Sequence, residues 1–457
     1  MQSDRSTRQL IMSGPFSRLF WAGFISSTGD WAALFAQISL ADVIAGSTGI
    51  IVVLAARVIP GLVGGAIGGV LADRINRKLL IFTADMGRGL LVLALAFVDN
   101  LVELFIVSIV LEMLTLLGQP ARAAVLPHLV GRSNLLAANS LTLTAAYGTF
   151  PLGAALAWGL GLLPTFAFLG VFPETTEAVL FGFDSLTFIL SALIVLTIAI
   201  PVHEVAASRQ RSSRFDWRAP LGDFWEGIKF VATTSSVRGV ILGMSIALFG
   251  GGMLIVLGKG FAEDTLNADA SGFFALLFAL GTGAALGMIT LTIYGDRFWR
   301  RDVTFGVALL ITGVGMGAAS LVQTVAGGMG WLSVMGFGAG ASYVLGFTHL
   351  HEQTKDEVRG RTFAALFSLM RVGLLVSMLV ATNLEGLLGG RFGPPFNNPS
   401  RVVLLGGAIV VMVAGGGMLW SVRAVFAHPK PSAEAIESIE AAGKAFSRTR
   451  RDEAEDE

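Results

Sequence analysis

About twelve runs of roughly twenty predominantly apolar residues follow one another along this chain, each long enough for a helix that crosses the hydrocarbon core of a bilayer. They fall at 16–45, 50–72, 79–98, 101–125, 135–158 and 178–200, then at 240–257, 272–294, 303–325, 330–350, 362–384 and 402–426. A water-soluble globule is excluded, because 54% of the 457 residues are hydrophobic and only 14% are charged, too few to clothe such a core in water. The first run carries Asp30 at its centre and is too long for the apolar region of a cleavable signal, so it is expected to persist as a helix. Lys plus Arg and Asp plus Glu both number 32, and no basic excess points to nucleic acid. There is no cysteine, which removes disulfides, thiolate metal sites and cysteine nucleophiles.

Arginine and lysine gather on alternate loops. Arg5, Arg8 and Arg18 precede the first run, Arg74, Arg77 and Lys78 follow the second, and Arg132 follows the fourth. Arg209, Arg211, Arg214 and Arg218, then Arg297, Arg300 and Arg301, then Lys355, Arg359 and Arg361, and finally the tail from Lys430 to Arg451 continue the same side. The opposite loops hold little beyond Lys259, Arg391 and Arg401, so the positive-inside rule places both termini in the cytoplasm. The longest internal polar stretch divides the runs six and six. This gives a cytoplasmic N-terminus (1–15), a first six-helix bundle (16–201), a linker (202–238), a second bundle (239–427) and a cytoplasmic tail (428–457). Within the linker Phe224, Trp225, Ile228, Phe230 and Val231 alternate with Asp223, Glu226 and Lys229, a pattern suited to a short helix in the headgroup plane, although a plain linker would look similar.

Asp73-Arg74-Ile75-Asn76-Arg77-Lys78 after the second run is echoed by Asp296-Arg297-Phe298-Trp299-Arg300-Arg301 after the eighth. With six runs between the copies both loops fall on one face, which is a parallel duplication. Gly69-Val70-Leu71-Ala72 leading into the first copy resembles the loop signature of the major facilitator superfamily, with Asn76 where the family has glycine. Asparagine is the next-best residue for a left-handed turn, so the turn is expected to be kept. Ser27-Thr28-Gly29-Asp30-Trp31, Ala56-Arg57-Val58-Ile59-Pro60, Asp85-Met86-Gly87-Arg88, the segment from Pro120 to Pro127 and Ala138-Asn139-Ser140-Leu141 are similar to the exporter branch that includes macrolide efflux pumps and the enterobactin exporter. The resemblance runs from about Phe16 to about Phe426. It implies an all-α membrane protein of twelve transmembrane helices in two pseudo-symmetric six-helix bundles, a central cavity lined by the first and fourth helices of each half, and a bacterial plasma (inner) membrane location.

Each ionisable group at mid-membrane costs about 2.5–3.5 kcal/mol on insertion scales and needs a partner, water or a function. Asp30 and Glu112 sit at matching depth in the first and fourth runs and are candidates for binding and releasing a proton as the cavity changes sides; hydrogen bonding to a neighbouring helix or to Arg57 would explain them equally. The repeat spacing sets Met253 opposite Asp30 and Met335 opposite Glu112, so the ionisable candidates concentrate in the first half. The second half offers Phe249-Gly250-Gly251-Gly252-Met253, a deformable wall for an apolar substrate or ordinary core packing. Arg57 and Arg371 are the deepest basic groups and could hold an anionic substrate group or neutralise the acids. Asp85 and Arg88 are three apart and read as a structural pair across one helical turn. Gly61, Gly65 and Gly69 make a smooth stripe, which the resemblance places against the eleventh helix. It also sets Asp73 at the start of that helix near Thr362, a latch formed by Gly69, Asp73, Arg74, Arg77, Lys78 and their second-half counterparts Asp296, Arg297, Arg300 and Arg301.

No phosphate-binding loop or dinucleotide fingerprint is present, so neither a nucleotide nor a cofactor is expected, and the spacing of His349 and His351 does not suit a metal. The chain reads as a transporter and not an enzyme: a secondary exporter of a small apolar or amphipathic molecule, drug-like or siderophore, driven by protons. A lipid flippase on the same fold and a non-transporting scaffold acting through its tail are the alternatives. The topology is directly testable in this cysteine-free chain. A single cysteine at Ser212 should resist an impermeant thiol reagent in intact cells, while one placed between Pro164 and Glu177, where Glu174 and Glu177 stand without lysine or arginine, should react; labelling of the Ser212 cysteine from outside would overturn the orientation.

Overall fold

The computed structural model describes residues 7–131, 134–162, 173–199, 229, 232–233, 235–294, 300–354, 356–389, 391, 393 and 398–426. They form helices, with no strand among the described residues. In chain order these are α1 (Thr7–Met12), α2 (Pro15–Arg74), α3 (Arg77–Ala94), α4 (Leu101–Leu129), α5 (Leu135–Tyr147), α6 (Phe150–Gly161), α7 (Thr176–Leu196), α8 (Ser235–Gly260), α9 (Ala270–Tyr294), α10 (Arg301–Leu321), α11 (Val325–Gln353), α12 (Asp356–Leu388) and α13 (Pro399–Phe426). The interfacial helix expected between residues 224 and 231, apart from Lys229, and the tail after 426 lie outside the described residues.

A straight α2 of 60 residues would be about 90 Å long, three times the hydrocarbon thickness. It is not straight. Ala45 (φ −150°, ψ 22°) and Gly46 (φ 58°, ψ −150°) leave helical geometry, and Gly49 lies against the Ala41 carbonyl, so the chain doubles back. Gly46 supplies the positive φ that an L side chain would resist. The first two apolar runs are therefore the limbs of one helical hairpin. The fifth run breaks differently: α5 ends at Gly148, and Pro151 near the start of α6 has no N–H to continue the ladder.

Helix starts follow side-chain capping. The side-chain oxygens of Asn100, Thr175 and Thr324 accept from Glu103 N (3.0 Å), Ala178 N (3.2 Å) and Gly327 N (3.2 Å). Asp269 does the same before α9, accepting from the Ser271 hydroxyl (2.6 Å) and Gly272 N (3.0 Å). The Ser271 bond, then that of Gly272, holds its carboxyl below the usual range. Asn76 also caps: its side chain accepts from Lys78 N and Leu79 N at φ −57°. The left-handed turn expected at Asn76 is thus absent, because an N-cap that satisfies two orphan amides needs no positive φ.

Nine of the described helices are long and apolar enough to cross a membrane. The α2 hairpin counts once among them, the fifth run is cut into two short helices, and α11 is diluted by glycines. These three features account for the difference from twelve.

Packing repeats between the halves. The contact of α3 with α7 is matched by α10 with α13, α3 with α4 by α10 with α11, and α2 with α7 by α8 with α13. The halves meet through α2 against α8 and α12, and through α6 against α9. One buried cluster runs through both halves, from Phe35, Val53 and Phe181 to Met253, Phe274 and Leu404. Two others each stay within one half, around Phe16, Ile81 and Val125 in the first and Ile241, Phe305 and Leu366 in the second. Among the described residues the core is thus joined at one end of the bundle and divided at the other.

Backbone approach sets the tightest helix pair. Gly283 and Gly287 of α9 lie on the Ser333 and Phe337 carbonyls, and Gly336 and Gly340 of α11 on those of Leu280 and Ala284. A side chain at any of these would have to push the helices apart. Gly287→Val should destabilise the purified protein by about 1–3 kcal/mol or more, read as a lower thermal midpoint. Gly416→Ala, where nothing lies within 4 Å, should leave the midpoint unchanged or raise it.

Candidate functional site

The ionisable residues of the first half converge. Asp30, midway along the first limb of α2, takes Arg88 Nη2 of α3 at 2.9 Å and Arg57 Nη2 of the second limb at 3.4 Å on the same oxygen. The Arg88 guanidinium lies 4.0 Å from the centroid of the Phe188 ring, which adds a cation–π contact. Asp30 is therefore held between two cations, with a third of its side chain still accessible.

Asp85 and Arg88 do not pair with each other. Three residues apart they diverge by about 60° around the helix, so Arg88 turns to α2 while Asp85 faces α4 and α7. There Arg122 Nη2 donates to Asp85 Oδ2, the Ser191 hydroxyl donates to the same oxygen at 2.8 Å, and Arg122 also bonds Ser191 at 3.0 Å. The Asp85 carboxylate is nearly inaccessible (4%), and this three-way contact pins α3, α4 and α7 together.

A further acid enters the cluster from α7. Asp184 is fully buried, and its Oδ1 accepts the Thr187 hydroxyl at 2.9 Å. It presses on Gly29, the residue before Asp30, where any side chain would collide with it. Sequence reasoning passed over Asp184 and gave Arg122 no partner. The signal was available, since Asp184 is an ionisable residue inside the sixth apolar run.

Glu112 and Arg371 behave otherwise. Glu112 is half-buried on α4, makes no hydrogen bond or ion pair within the described residues, and lies within electrostatic range of Arg57, Arg88, Asp30 and Arg371. Arg371, exposed on α12, donates to the Gly61 carbonyl at 3.3 Å from the opposite half. The Gly61 end of the glycine stripe thus meets the eleventh run as expected; the Gly65 and Gly69 surroundings lie outside the described residues. One turn before Arg371 on the same face stands Phe367, in ring contact with Phe347 (5.8 Å), itself against Tyr343 (4.3 Å).

Met253 and Met335 are not cavity-facing. Both are buried (4% and 5% exposed) in the core shared by the halves. Gly250 and Gly252 let α8 sink onto α13 and α12, where the Ser377 hydroxyl donates to the Phe249 carbonyl, and this close approach encloses Met253. Of the expected latch, Arg77 donates to the Ala124 carbonyl (3.1 Å) and meets His128 (3.3 Å), and Arg300 is exposed before α10. The side chains of Asp73, Arg74 and Arg301, and all of Asp296 and Arg297, lie outside the described residues. An ionic contact does bridge the halves at the joined end: Lys259 Nζ of α8 reaches Asp42 of α2 at 3.1 Å and Glu263 at 2.8 Å. Ser47 and Glu385 approach there at 3.4 Å, and the Trp158 and Phe278 rings at 5.4 Å.

No protein-family model matches the chain. Among curated proteins it is similar to the MFS-type transporter YfiS of Bacillus subtilis (25% identity over 62% of this chain and 74% of that one) and to the putative bacilysin exporter BacE of the same organism (25%, over 87% and 91%). It is also similar to the enterobactin exporter EntS of Escherichia coli O127:H6 (28%, over 65% and 68%). Among solved structures it shares its fold with an inward-facing bacterial homologue of the lysosomal transporter Spinster (TM-score 0.66, 14% identity, 91% of this chain and 99% of that one). The nucleoside transporter NupG is a second such neighbour (TM-score 0.65, 13%, 88% and 98%). These relatives and structural neighbours are transporters, MFS-type transporters and exporters among them, and not enzymes; the chain shares their helical fold, with nine described helices long and apolar enough to cross a membrane.

Removing one member of the buried pair should separate its structural weight from its charge. Arg122→Ala leaves Asp85 as an uncompensated anion and should cost about 3–5 kcal/mol, whereas the neutral double variant Asp85→Asn/Arg122→Gln should lose markedly less. Thermal unfolding of the purified proteins decides; equal losses would mean that side-chain packing, not charge, is what α3, α4 and α7 depend on here.

Proposed function

We propose that this transporter is a secondary exporter in the bacterial inner membrane, with both termini cytoplasmic, in which two six-helix halves rock about a midplane cavity and an inward proton gradient drives a small amphipathic molecule outward. The observation that carries the substrate side of this reading is the contrast within the charge cluster. Asp30, Asp85 and Lys259 have ionic partners, whereas Glu112 and Arg371, on opposite halves, have no ion-pair partner among the described residues. A charged group on the substrate would find Arg371 or Glu112, and an apolar body would lie on Phe367 and Phe347.

The joined end of the core holds Lys259, which the charge distribution assigns to the outside. On that orientation the state described is closed outward by the Asp42–Lys259–Glu263 contact and divided on the cytoplasmic side, the state in which an exporter loads. Opening outward requires Lys259 to leave Asp42, and the divided inner cores to close in exchange. Asp30, held between Arg57 and Arg88 with a third of its side chain accessible, and Glu112, without an ion-pair partner among the described residues, belong to a buried charge cluster whose surroundings would change as the halves rock, which is what proton coupling needs. The exporter relatives favour the outward direction, and the compounds they are named for, bacilysin and enterobactin, suggest antibiotic-like and siderophore compounds as the first to screen.

Accumulation of such compounds in cells with and without the protein is the first measurement. Asp30→Asn should then retain substrate binding and gradient-free exchange while losing uphill export. Export against a gradient that persists in Asp30→Asn, and still collapses with a protonophore, would show that coupling does not need the Asp30 carboxylate.

A further inference from the structure

Asp184 is the member of the cluster that the scheme above leaves unused, and it is the most enclosed. Its Oδ1 is satisfied by Thr187 at 2.9 Å, but Oδ2, equally buried, has no hydrogen-bond partner. No guanidinium stands within ion-pair distance of it among the described residues, because Arg88 and Arg57 are both engaged on one oxygen of Asp30. The charged groups that face Asp184 are Asp30 and Arg57 of α2 and Arg88 of α3, with Asp85 beyond Arg88. From α6, which also packs on α7, comes no ionisable residue. An ionised Asp184 in this arrangement would be a buried oxygen anion next to the Asp30 anion, with no protein donor turned to it, and such a charge is strongly disfavoured.

The same residues offer a second arrangement that satisfies every charge. Arg57 and Arg88 each keep a buried Nε with no partner, so two cations with spare donors stand against two acids. If Arg88 turns from Asp30 to Asp184 while Arg57 stays on Asp30, both acids can be ionised and both are paired. Gly29 is what allows the two carboxylates to share one guanidinium, since a larger residue there would drive Asp184 away from α2.

Resting on the proton-coupled reading above, we infer that Asp184 carries the exchanged proton: it is a carboxylic acid protonated at Oδ2 in the conformation described, with Arg88 held by Asp30, and a carboxylate in the opposite conformation, with Arg88 transferred to it. In each complete cycle one O–H bond forms at Oδ2, on uptake of a proton from water, and one breaks. On release the proton goes to water, the bonding pair stays on the oxygen, and Arg88 supplies the compensating charge. The Asp30 carboxylate remains ionised throughout and acts as the alternative seat for Arg88, so protonation of a buried acid on α7 decides which helix α3 is tied to. Coupling is then mechanical as well as electrostatic, because the Arg88–Asp30 pair is the ion pair that joins α3 to the first limb of α2 among the described residues.

The test needs no substrate. The full-length protein in lipid nanodiscs is titrated with pH and followed by infrared difference spectroscopy for the C=O stretch of a protonated carboxylic acid. The wild type should show this band at neutral pH and lose it as pH rises. Asp184→Asn should lack it, and Glu112→Gln should keep it. Thr187→Val, which removes the donor to Oδ1, should retain the band at higher frequency, and this variant carries the test should Asp184→Asn fail to fold. A band that survives in Asp184→Asn, vanishes in Glu112→Gln or is unmoved in Thr187→Val overturns the assignment. Protonophore sensitivity of ethidium efflux from wild-type cells is measured alongside. Loss of the band in Asp184→Asn with protonophore-insensitive efflux would retire proton antiport and keep the proton on Asp184, while protonophore-sensitive efflux with an Asp184-independent band would overturn this inference alone.

Discussion

A charge placed in hydrocarbon must be paired, hydrated or neutralised, and that constraint organises the first half of this protein. Asp30, Arg57, Arg88, Asp85, Arg122 and Asp184 come from four helices. The ion pairs tie α2 to α3 through Asp30 and Arg88, and α3 to α4 through Asp85 and Arg122. Side chains on α7 show the consequence within one element: Asp184, Phe188, Ser191 and Val195 are buried toward the cluster, while Leu186, Leu190 and Leu193 are exposed on the opposite face. The helix is apolar enough to cross the bilayer and polar enough on one side to have a single rotational setting in the bundle. Apolar packing alone would specify that setting poorly, because lipid chains solvate leucine as well as a neighbouring helix does.

The second half reaches tight packing by a different route. Its helices meet through glycine, with α9 and α11 in backbone contact at Gly283, Gly287, Gly336 and Gly340, and α8 set into α12 and α13 at Gly250 and Gly252. Close approach raises the number of van der Waals contacts per turn and needs no ion pair. The duplication therefore preserved the helix arrangement while the two copies came to rely on different interactions. Among the described residues one half is fixed by directional ionic contacts and the other by shape. A conformational cycle in which the first half senses and the second half follows is consistent with that division.

The apolar pattern made the helical class legible in the sequence, since it follows from local hydropathy and length, but not the break of the fifth run at Gly148 and Pro151. What it hid were outcomes of tertiary choice. Asn76 was expected in a left-handed turn on the strength of a family glycine, yet a capping role satisfied two amides and won. Asp85 and Arg88 were paired by sequence spacing, but a buried acid takes the partner that can desolvate with it, and Arg122 with Ser191 offered more bonds than Arg88 could. Met253 was set opposite Asp30 by the repeat spacing, but the glycines beside it let α8 pack close to its neighbours, and Met253 is buried in the core. Asp184 escaped notice because its weight comes from Gly29 and Thr187, one of them some 150 residues away. Buried ionisable residues announce that something must neutralise them; which residue does so is decided by helix rotation, and rotation is not a local property of sequence.

The divided core gives this arrangement a direction. At the joined end, Phe35, Val53 and Phe181 share one buried cluster with Met253, Phe274 and Leu404, and Lys259 closes the seam ionically. At the other end the clusters around Ile81 and around Phe305 are separate. In the proposed cycle, rocking the halves would open the first seam and would be near-isoenergetic only if the separated clusters closed against each other, because an interior that simply opened would expose apolar surface without return. Lys259 sharpens the transition. A buried ammonium stripped of Asp42 keeps Glu263 on its own helix, so the bridge breaks without leaving an unpaired charge, and the barrier to opening is lowered on the side where an orphaned cation would otherwise lock the protein shut. A gate built from one inter-half and one intra-helix partner can be firm when closed and still release.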